Sequence, residues 1–366
     1  MNTLIELTAF RHQPVWEMQA ALYLLMIQAG AWAMLAGLVA GAPALLGSKA
    51  APATGTGSGI SRGTGGLGAW GLLAATGLGL SAPLNLIAEM LDPHKFYTLI
   101  PRFTLSSPLS WGVAAISLFV LAGALGCLGL KRPLPVPPKA LAGLGLLAAL
   151  GVLAYTWFEI ARAAGVPLWA DPHASVVLLA SALPCGLGLA LWLDMAHGGA
   201  AAQSLLVRLV AALGALGSGG VLAVWGLLGS WPATPGWPWG SALLAGSALA
   251  LLLAGALFLE RPKSLSGPLT WACLLALAGG LGARLGILLL GQSAALGRAL
   301  GEPHLLGHAD ILGVLATPAL FVALMFIASI IMGRPAKDEP VAPAAPAAPA
   351  EPVAPADAQT AHGDPA

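Results

Sequence analysis

The sequence predicts an all-α protein, a polytopic bundle of about nine transmembrane helices. Of its 366 residues, 58% are hydrophobic and only 8% are charged, and the mean hydropathy is +0.84, so lipid is the expected solvent for most of the chain. The hydrophobic residues form windows of about 20 residues or more, without the alternation of barrel strands. Because unpaired backbone groups are costly in hydrocarbon, these windows are expected to be helices.

Breaks rich in charge or proline separate the windows and define the domains. Residues 16–333 form the predicted bundle, residues 1–15 precede it, and the Ala/Pro-rich tail 334–366 is predicted to be disordered because it cannot bury enough apolar surface. The Gly/Ser/Thr-rich stretch Ala51–Gly66 is predicted to be a flexible loop. The nine predicted spans are Trp16–Gly41, Leu67–Leu91, Leu109–Leu130, Ala140–Ala161, Ala174–Leu193, Leu205–Leu228, Gly240–Leu259, Leu269–Leu290 and Ile311–Met332.

The distribution of Lys and Arg predicts the orientation, because cytoplasmic loops carry an excess of these residues. In a nine-span topology, the side of the membrane that holds the N-terminus carries Arg11, Lys95, Arg102, Arg162 and Arg298. On the opposite side it has Lys49, Arg62, Lys131, Arg132, Lys139, Arg208, Arg261, Lys263, Arg334 and Lys337. The N-terminus is therefore expected to face outward and the C-terminal tail to lie in the cytoplasm.

Composition argues against several classes of function. The formal net charge is only +1, without a basic stripe, so nucleic acid is not an expected partner. The three cysteines, Cys127, Cys185 and Cys273, are far apart and form no CxxC or Cys/His ligand spacing, so no zinc or iron–sulfur site is expected. No span has a histidine near its middle, where a haem would need axial ligands. Any electrons should therefore pass directly between a lipid-soluble carrier and a partner subunit.

Two ionisable residues fall inside predicted spans, where they are costly unless they face the bundle interior. Glu159 follows Tyr155 by one helical turn on the same face, and this phenol and carboxyl together suit the binding of a quinone oxygen and the acceptance of its proton. The alternative is an interfacial glutamate beside Arg162. Arg284 is expected to pair with a carboxylate or with carbonyls in the bundle, as a structural group or as part of a proton pathway.

Further polar residues cluster on the predicted outward side. His12, Asp92 and His94 are candidates for the same site as Tyr155 and Glu159. For others the simpler interpretation is a solvated loop group or a helix cap, as for Asp171, His173 and His304. His304 and His308 are four residues apart, but an intervening loop makes them a weak metal-binding pair.

Three segments carry motifs in an order typical of one family of membrane proteins. APLNLIAEMLDPHKFYTLIPRFTLSSPLSWG, Ala82–Gly112, leads from a loop of mixed charge into an SPxSWG-like start of the next span. YTWFEIARAAGVPLW, Tyr155–Trp169, joins a YT-containing span to a PxW turn, and ARLGILLLGQ, Ala283–Gln292, is an Arg-containing late helix. Together they resemble the NrfD/PsrC (polysulfide reductase membrane subunit) family, in which a glycine usually stands where this chain has Trp157.

Within that family, the SAPL segment Ser81–Leu84 and the glutamate that follows YT look most like the membrane subunit of tetrathionate reductase. The resemblance implies a multi-pass protein of the bacterial inner membrane, with a periplasmic N-terminus and a cytoplasmic C-terminus. It implies a quinol-binding anchor without haem or iron–sulfur cluster of its own. Its expected partners in anaerobic respiration are an iron–sulfur electron-transfer subunit and a molybdopterin catalytic subunit on the outer face.

Our hypothesis is that a quinol binds near the outward end of the bundle, in a site made by the first four spans. Tyr155, with His12 or His94, would hold the quinol ring oxygens, and Glu159 or Asp92 would accept protons. Arg102 and the Ser106–Trp111 turn, which includes Ser107, would face the partner.

The alternative function is a transporter or proton channel lined by Arg284, Glu159 and the prolines Pro83, Pro184 and Pro318. Inverted repeats would favour it, and none is evident in the sequence.

Overall fold

The fold is almost entirely helical in the residues that a computed structural model describes, which are 18–45, 66–89, 104, 108–129, 134–161, 166–228, 238–265, 267–296 and 308–333. These ranges contain ten α-helices and one short 3₁₀-helix, Ala201–Gln203, and no strand. The all-α prediction is confirmed. The predicted N-terminal segment, the Ala51–Gly66 loop up to residue 65 and the C-terminal tail lie outside the described residues.

Eight of the helices are long and apolar enough to cross a bilayer, so the structure is that of a polytopic membrane protein. The predicted ninth span corresponds to a helix whose stretch Leu315–Ala328 is apolar. Six helices begin at a proline, the residue whose fixed φ and missing N–H suit a first helical position. The helices are α1 Met18–Leu45, α2 Gly66–Glu89, α3 Pro108–Gly129, α4 Pro138–Ala161, α5 Pro167–Ala170, α6 Pro172–Ala196, α7 Leu205–Leu227, α8 Pro238–Leu259, α9 Pro268–Leu296 and α10 His308–Gly333.

The long helices form two four-helix bundles with the same arrangement. In the first bundle, α1 to α4 pack in sequence and α4 returns to contact α1. In the second bundle, α6 to α9 do the same and α9 returns to contact α6. The bundles meet mainly where α1 packs against α6, and α10 packs on the first bundle against α2 and α1.

This arrangement bears on the transporter alternative. Each bundle has an even number of spans, so α1 and α6 enter the membrane from the same side and the two halves are parallel, not inverted. An inverted repeat, the feature that would favour a transporter, is therefore not formed by these two bundles.

The two ends of the assembly differ in charge. We call the end where α1, α6 and α8 finish the basic end, since it carries Lys139, Arg208, Arg261 and Lys263. The opposite end, where α4 and α9 finish, is called the Glu159 end.

A buried carboxylate joins the two bundles at the basic end. Asp194, in the last turn of α6, is only 1% exposed and accepts a hydrogen bond from the backbone N–H of Ala201 at 3.0 Å. Its carboxylate lies against Gly66, the first residue of α2, so closely that a methyl group at Gly66 would overlap it. The N-terminus of α2 carries partial positive charge, which stabilises a carboxylate in this position.

The crossing of α1 and α6 depends on a glycine. A methyl group at Gly186 of α6 would overlap the backbone carbonyl of Ala29 and lie 3.0 Å from the backbone nitrogen of Ala33, both in α1. Backbone atoms cannot rotate away as a side chain can, so the close approach of the two bundles requires the absence of a side chain here.

We therefore predict that Gly186→Ala lowers the thermal midpoint of the detergent-solubilised protein, since overpacking costs about 1–3 kcal/mol. Gly217→Ala in α7 is the matched control, because a methyl group there meets open space. Thermal unfolding followed by size-exclusion chromatography measures both. Equal midpoints for the two variants would contradict the proposed crossing.

Candidate functional site

Two tyrosines and a glutamate form a hydrogen-bonded chain at the Glu159 end of the first bundle. The Tyr23 hydroxyl of α1 donates to the Tyr155 hydroxyl of α4 at 3.3 Å, and Tyr155 is hydrogen-bonded to Glu159, one turn further along α4. Both tyrosines are buried, and the glutamate side chain is partly exposed. We call these three residues the tyrosine–glutamate cluster. Tyr155 and Glu159 thus lie together, as their spacing predicted, whereas Tyr23 was not identified from the sequence.

One carboxylate oxygen of Glu159 takes no part in the hydrogen bonds of this cluster. The Oε2 atom of Glu159 is shielded from solvent and has no hydrogen-bond partner among the described residues. A buried oxygen of this kind is costly unless a ligand, a proton or a water molecule satisfies it. The cluster therefore combines a hydroxyl relay with a carboxylate oxygen able to take a proton or a hydrogen bond.

The start of α3 shapes the cluster from the other side. Gly112 is buried, and a methyl group there would overlap the phenol ring of Tyr155. The glycine of the SPxSWG-like motif thus leaves the space that the Tyr155 ring occupies.

The expectation of a turn over Ser106–Trp111 is wrong from residue 108 onward. Helix α3 begins at Pro108, because proline suits a first helical position, so Trp111 lies in its first turn and is half exposed.

A second polar group lies deeper, where the two bundles meet. Arg284 of α9 is completely buried. One terminal nitrogen, Nη1, donates to Ser181 Oγ at 2.9 Å and to the Gly280 carbonyl at 2.8 Å. The other, Nη2, donates to Gln28 Oε1 at 2.5 Å and to the Leu178 carbonyl. Neutral oxygens of α1, α6 and α9 thus surround the guanidinium.

These contacts answer the question of whether Arg284 pairs with a carboxylate or with carbonyls. Among the described residues no carboxylate contacts the guanidinium, and carbonyl, hydroxyl and amide oxygens take its place. The amide of Gln28 continues the network, because its Nε2 donates to Thr156 Oγ1 at 3.0 Å. We call Gln28, Thr156, Ser181 and Arg284 the arginine network. It connects α4 and α1 of the first bundle with α6 and α9 of the second.

Other predicted residues have structural positions. Asp171 caps the N-terminus of α6 by accepting the backbone N–H of His173 at 2.8 Å, and it also contacts the His173 ring. Asp171 is therefore a helix cap, one of the two simpler interpretations, and His173 is an exposed residue in the first turn of α6. Nearby, Trp169 of α5 donates its indole N–H to the Ile287 carbonyl of α9 at 3.1 Å, which fixes the connection between the bundles.

The remaining candidates stay predictions. His12, Asp92, His94, Arg102, Ser107 and His304 lie outside the described residues. Within the described ranges, no three His, Cys, Asp or Glu side chains are grouped as metal ligands, and Cys127, Cys185 and Cys273 are free thiols.

The fold and these polar groups define a multi-span helical membrane protein with polar sites between its helices. No protein-family model matches the sequence, and no curated protein matches it significantly.

The arginine network gives a prediction about stability. Arg284→Lys should lower the thermal midpoint, because one ammonium group cannot reproduce the planar guanidinium that reaches acceptors on three helices, and each lost charge-assisted hydrogen bond costs about 1.5–3 kcal/mol. Lys139→Arg, the reverse exchange at an exposed position, is the control and should leave the midpoint unchanged. An Arg284→Lys protein as stable as the control would show that the network does not hold the bundles together.

Proposed function

We propose that this chain is the quinol-binding membrane anchor of a multi-subunit oxidoreductase and passes electrons from quinol to an iron–sulfur partner subunit. The tyrosine–glutamate cluster is the observation that carries the proposal. The resemblance of three ordered segments to the NrfD/PsrC family supports it, including a molybdopterin subunit as the terminal catalyst.

The chemistry of quinol oxidation fits the cluster. Oxidation of a quinol to a quinone releases two electrons and two protons, so the site needs hydrogen-bond partners for the ring oxygens and acceptors for the protons. In the proposal the Tyr155 hydroxyl binds one ring oxygen, and the free Oε2 of Glu159 takes one proton. His12 or His94 binds the other ring oxygen, Asp92 accepts the second proton, and both electrons pass to the partner's nearest cluster.

The position of the cluster suits a lipid-soluble substrate. Glu159 lies in the last turn of α4, near the end of a span, so a quinol in the bilayer reaches it without crossing the membrane. The aromatic side chains of Trp157 and Phe158 beside it are 42% and 47% exposed, with ring centroids 5.0 Å apart. In the proposal, Trp111, Ser107 and Arg102 lie on the face toward the partner subunit.

The first test removes the two functional groups. Tyr155→Phe and Glu159→Gln should each lower quinol oxidation at least about 100-fold, the usual contribution of a positioned acid or base, while the subunits still assemble. Phe158→Leu is the matched control, since Phe158 adjoins Glu159 but has no group that exchanges protons. Quinol-dependent turnover in membranes and native gel electrophoresis of the complex measure activity and assembly. Full turnover in both variants would refute the site.

A second test changes the position of Tyr155 and keeps its chemistry. Gly112→Ala should displace the Tyr155 ring and reduce turnover with both reactive groups still present. Gly151→Ala in α4, where a methyl group meets open space, is the control. Binding of a quinone-site inhibitor, followed by tryptophan fluorescence, should weaken in the first variant only; unchanged inhibitor binding and turnover would argue against a role for Tyr155.

A transporter or proton channel is the second candidate, favoured by the complete burial of Arg284 between the bundles. Proton flux into proteoliposomes that contain this chain alone distinguishes the two functions. The anchor requires a quinol and a partner for turnover, whereas a channel conducts without either.

A further inference from the structure

A groove separate from both polar groups opens between the two bundles toward the basic end. Its volume is about 280 Å³, and α1, α6 and α7 contribute most of its walls, with Leu67 of α2 completing them. Every residue that lines it is apolar. The indole N–H of Trp32 is the one side-chain donor there, and it is already used by the Leu179 carbonyl at 3.0 Å. The groove therefore offers no hydrogen bond to a polar ligand and suits a hydrocarbon chain.

The groove has the depth of one leaflet of the bilayer. On α1 it runs from Trp32 to Ala40, a rise of about 12 Å along a helix. Half of the hydrocarbon core measures roughly 15 Å. Its rim is open to the surrounding lipid, because Val39 and Leu206 are 74% and 71% exposed. An acyl chain of the leaflet at the basic end can therefore lie in it along most of its length.

Hydrogen bonds hold a cationic group near the start of α7, the helix that lines one wall of the groove. Gln203 lies two residues before Leu205, the first residue of α7, and the first two turns of α7 line one wall. The exposed Arg261 donates its Nε to Gln203 Oε1 at 2.9 Å, and Gln203 in turn donates to the Pro262 carbonyl at 3.0 Å. These bonds hold the guanidinium close to the start of α7.

The charge at the mouth favours an anionic headgroup. Lys263 is exposed two residues from Arg261, and the exposed Glu260 offsets one of the two positive charges. Asp194 is buried against the N-terminus of α2, whose partial positive charge offsets that of its carboxylate. A guanidinium binds phosphate through paired hydrogen bonds, and the neighbouring ammonium adds a second cation.

We propose that the groove binds one acyl chain of an anionic phospholipid and that Arg261 and Lys263 bind its phosphate. This site is independent of the proposed quinol function, because it lies at the opposite end from the tyrosine–glutamate cluster and shares no residue with it. A lipid bound there fills the groove between α1 of the first bundle and α6 and α7 of the second.

The experiment measures lipid retention by the purified full chain. The delipidated protein is incubated with dioleoyl phosphatidylglycerol or dioleoyl phosphatidylcholine, and the bound lipid is counted by native mass spectrometry. We expect one phosphatidylglycerol per chain, bound at least tenfold more tightly than phosphatidylcholine. Equal affinity for the two lipids would overturn the proposal.

Two kinds of variant test the two parts of the site. Ala36→Phe fills the groove and should abolish retention, whereas Ala245→Phe, the same change at an exposed position of α8, should not. The double variant Arg261→Gln, Lys263→Gln should lose the preference for phosphatidylglycerol, whereas Lys139→Gln, an exposed lysine at the same end, should keep it. Because the charge variants alter only exposed side chains, they remain informative if the Ala36→Phe protein fails to fold.

The alternative occupant is the isoprenoid tail of a quinone. Addition of a long-tailed quinone in tenfold excess over phosphatidylglycerol should leave the lipid bound. Displacement of the lipid by the quinone, or retention that is equal in Ala36→Phe and Ala245→Phe, would show that the groove is not a phospholipid site.

Discussion

The packing of three helices depends on the hydrogen bonds that stabilise the completely buried Arg284. Arg284 has no carboxylate partner among the described residues, so its charge is balanced by oxygens of Ser181, Gln28 and two backbone carbonyls. A guanidinium can do this because its planar array of N–H groups reaches several acceptors at once. Since these acceptors belong to three helices, the positions of α1, α6 and α9 are mutually dependent. Trp169 follows the same rule, because its indole N–H donates to the Ile287 carbonyl, and one oxygen of Asp194 accepts from the backbone N–H of Ala201.

The arginine network is also close to the tyrosine–glutamate cluster along the chain. Thr156 directly follows Tyr155 in α4, and Gln28 follows Tyr23 by five residues in α1. The Tyr23–Tyr155 and Gln28–Thr156 hydrogen bonds are therefore adjacent cross-links between the same two helices. Through Gln28, the second bundle supports the helix pair that carries the cluster. The tyrosine–glutamate cluster lies at one end of the molecule, and the apolar groove lies toward the other.

The sequence identified the residues of these sites that are unusual in a membrane span, and it missed those that are ordinary. Glu159 and Arg284 stand out because ionisable groups are rare in hydrocarbon, and Tyr155 followed from its spacing to Glu159. Tyr23, Gln28, Thr156 and Ser181 give no such signal, because neutral polar residues are common in spans and acquire meaning only from their partners. The turn expected over Ser106–Trp111 overlapped the span predicted from Leu109, and the structure favours the helix, which begins at Pro108.

The sequence by itself determined the solvent, the helical class and most span limits, because hydrophobic length and proline position act locally along the chain. It also located Glu159 and Arg284, the ionisable residues whose position inside a span is costly. Only the tertiary structure decided that the spans divide into two parallel four-helix bundles, that Gly186 lets them touch, and which oxygens surround Arg284. Those outcomes depend on the rotation and crossing of helices far apart in sequence. Packing between nearly uniform apolar surfaces rich in Gly, Ala and Leu sets these angles, and no periodic pattern in such a sequence specifies them.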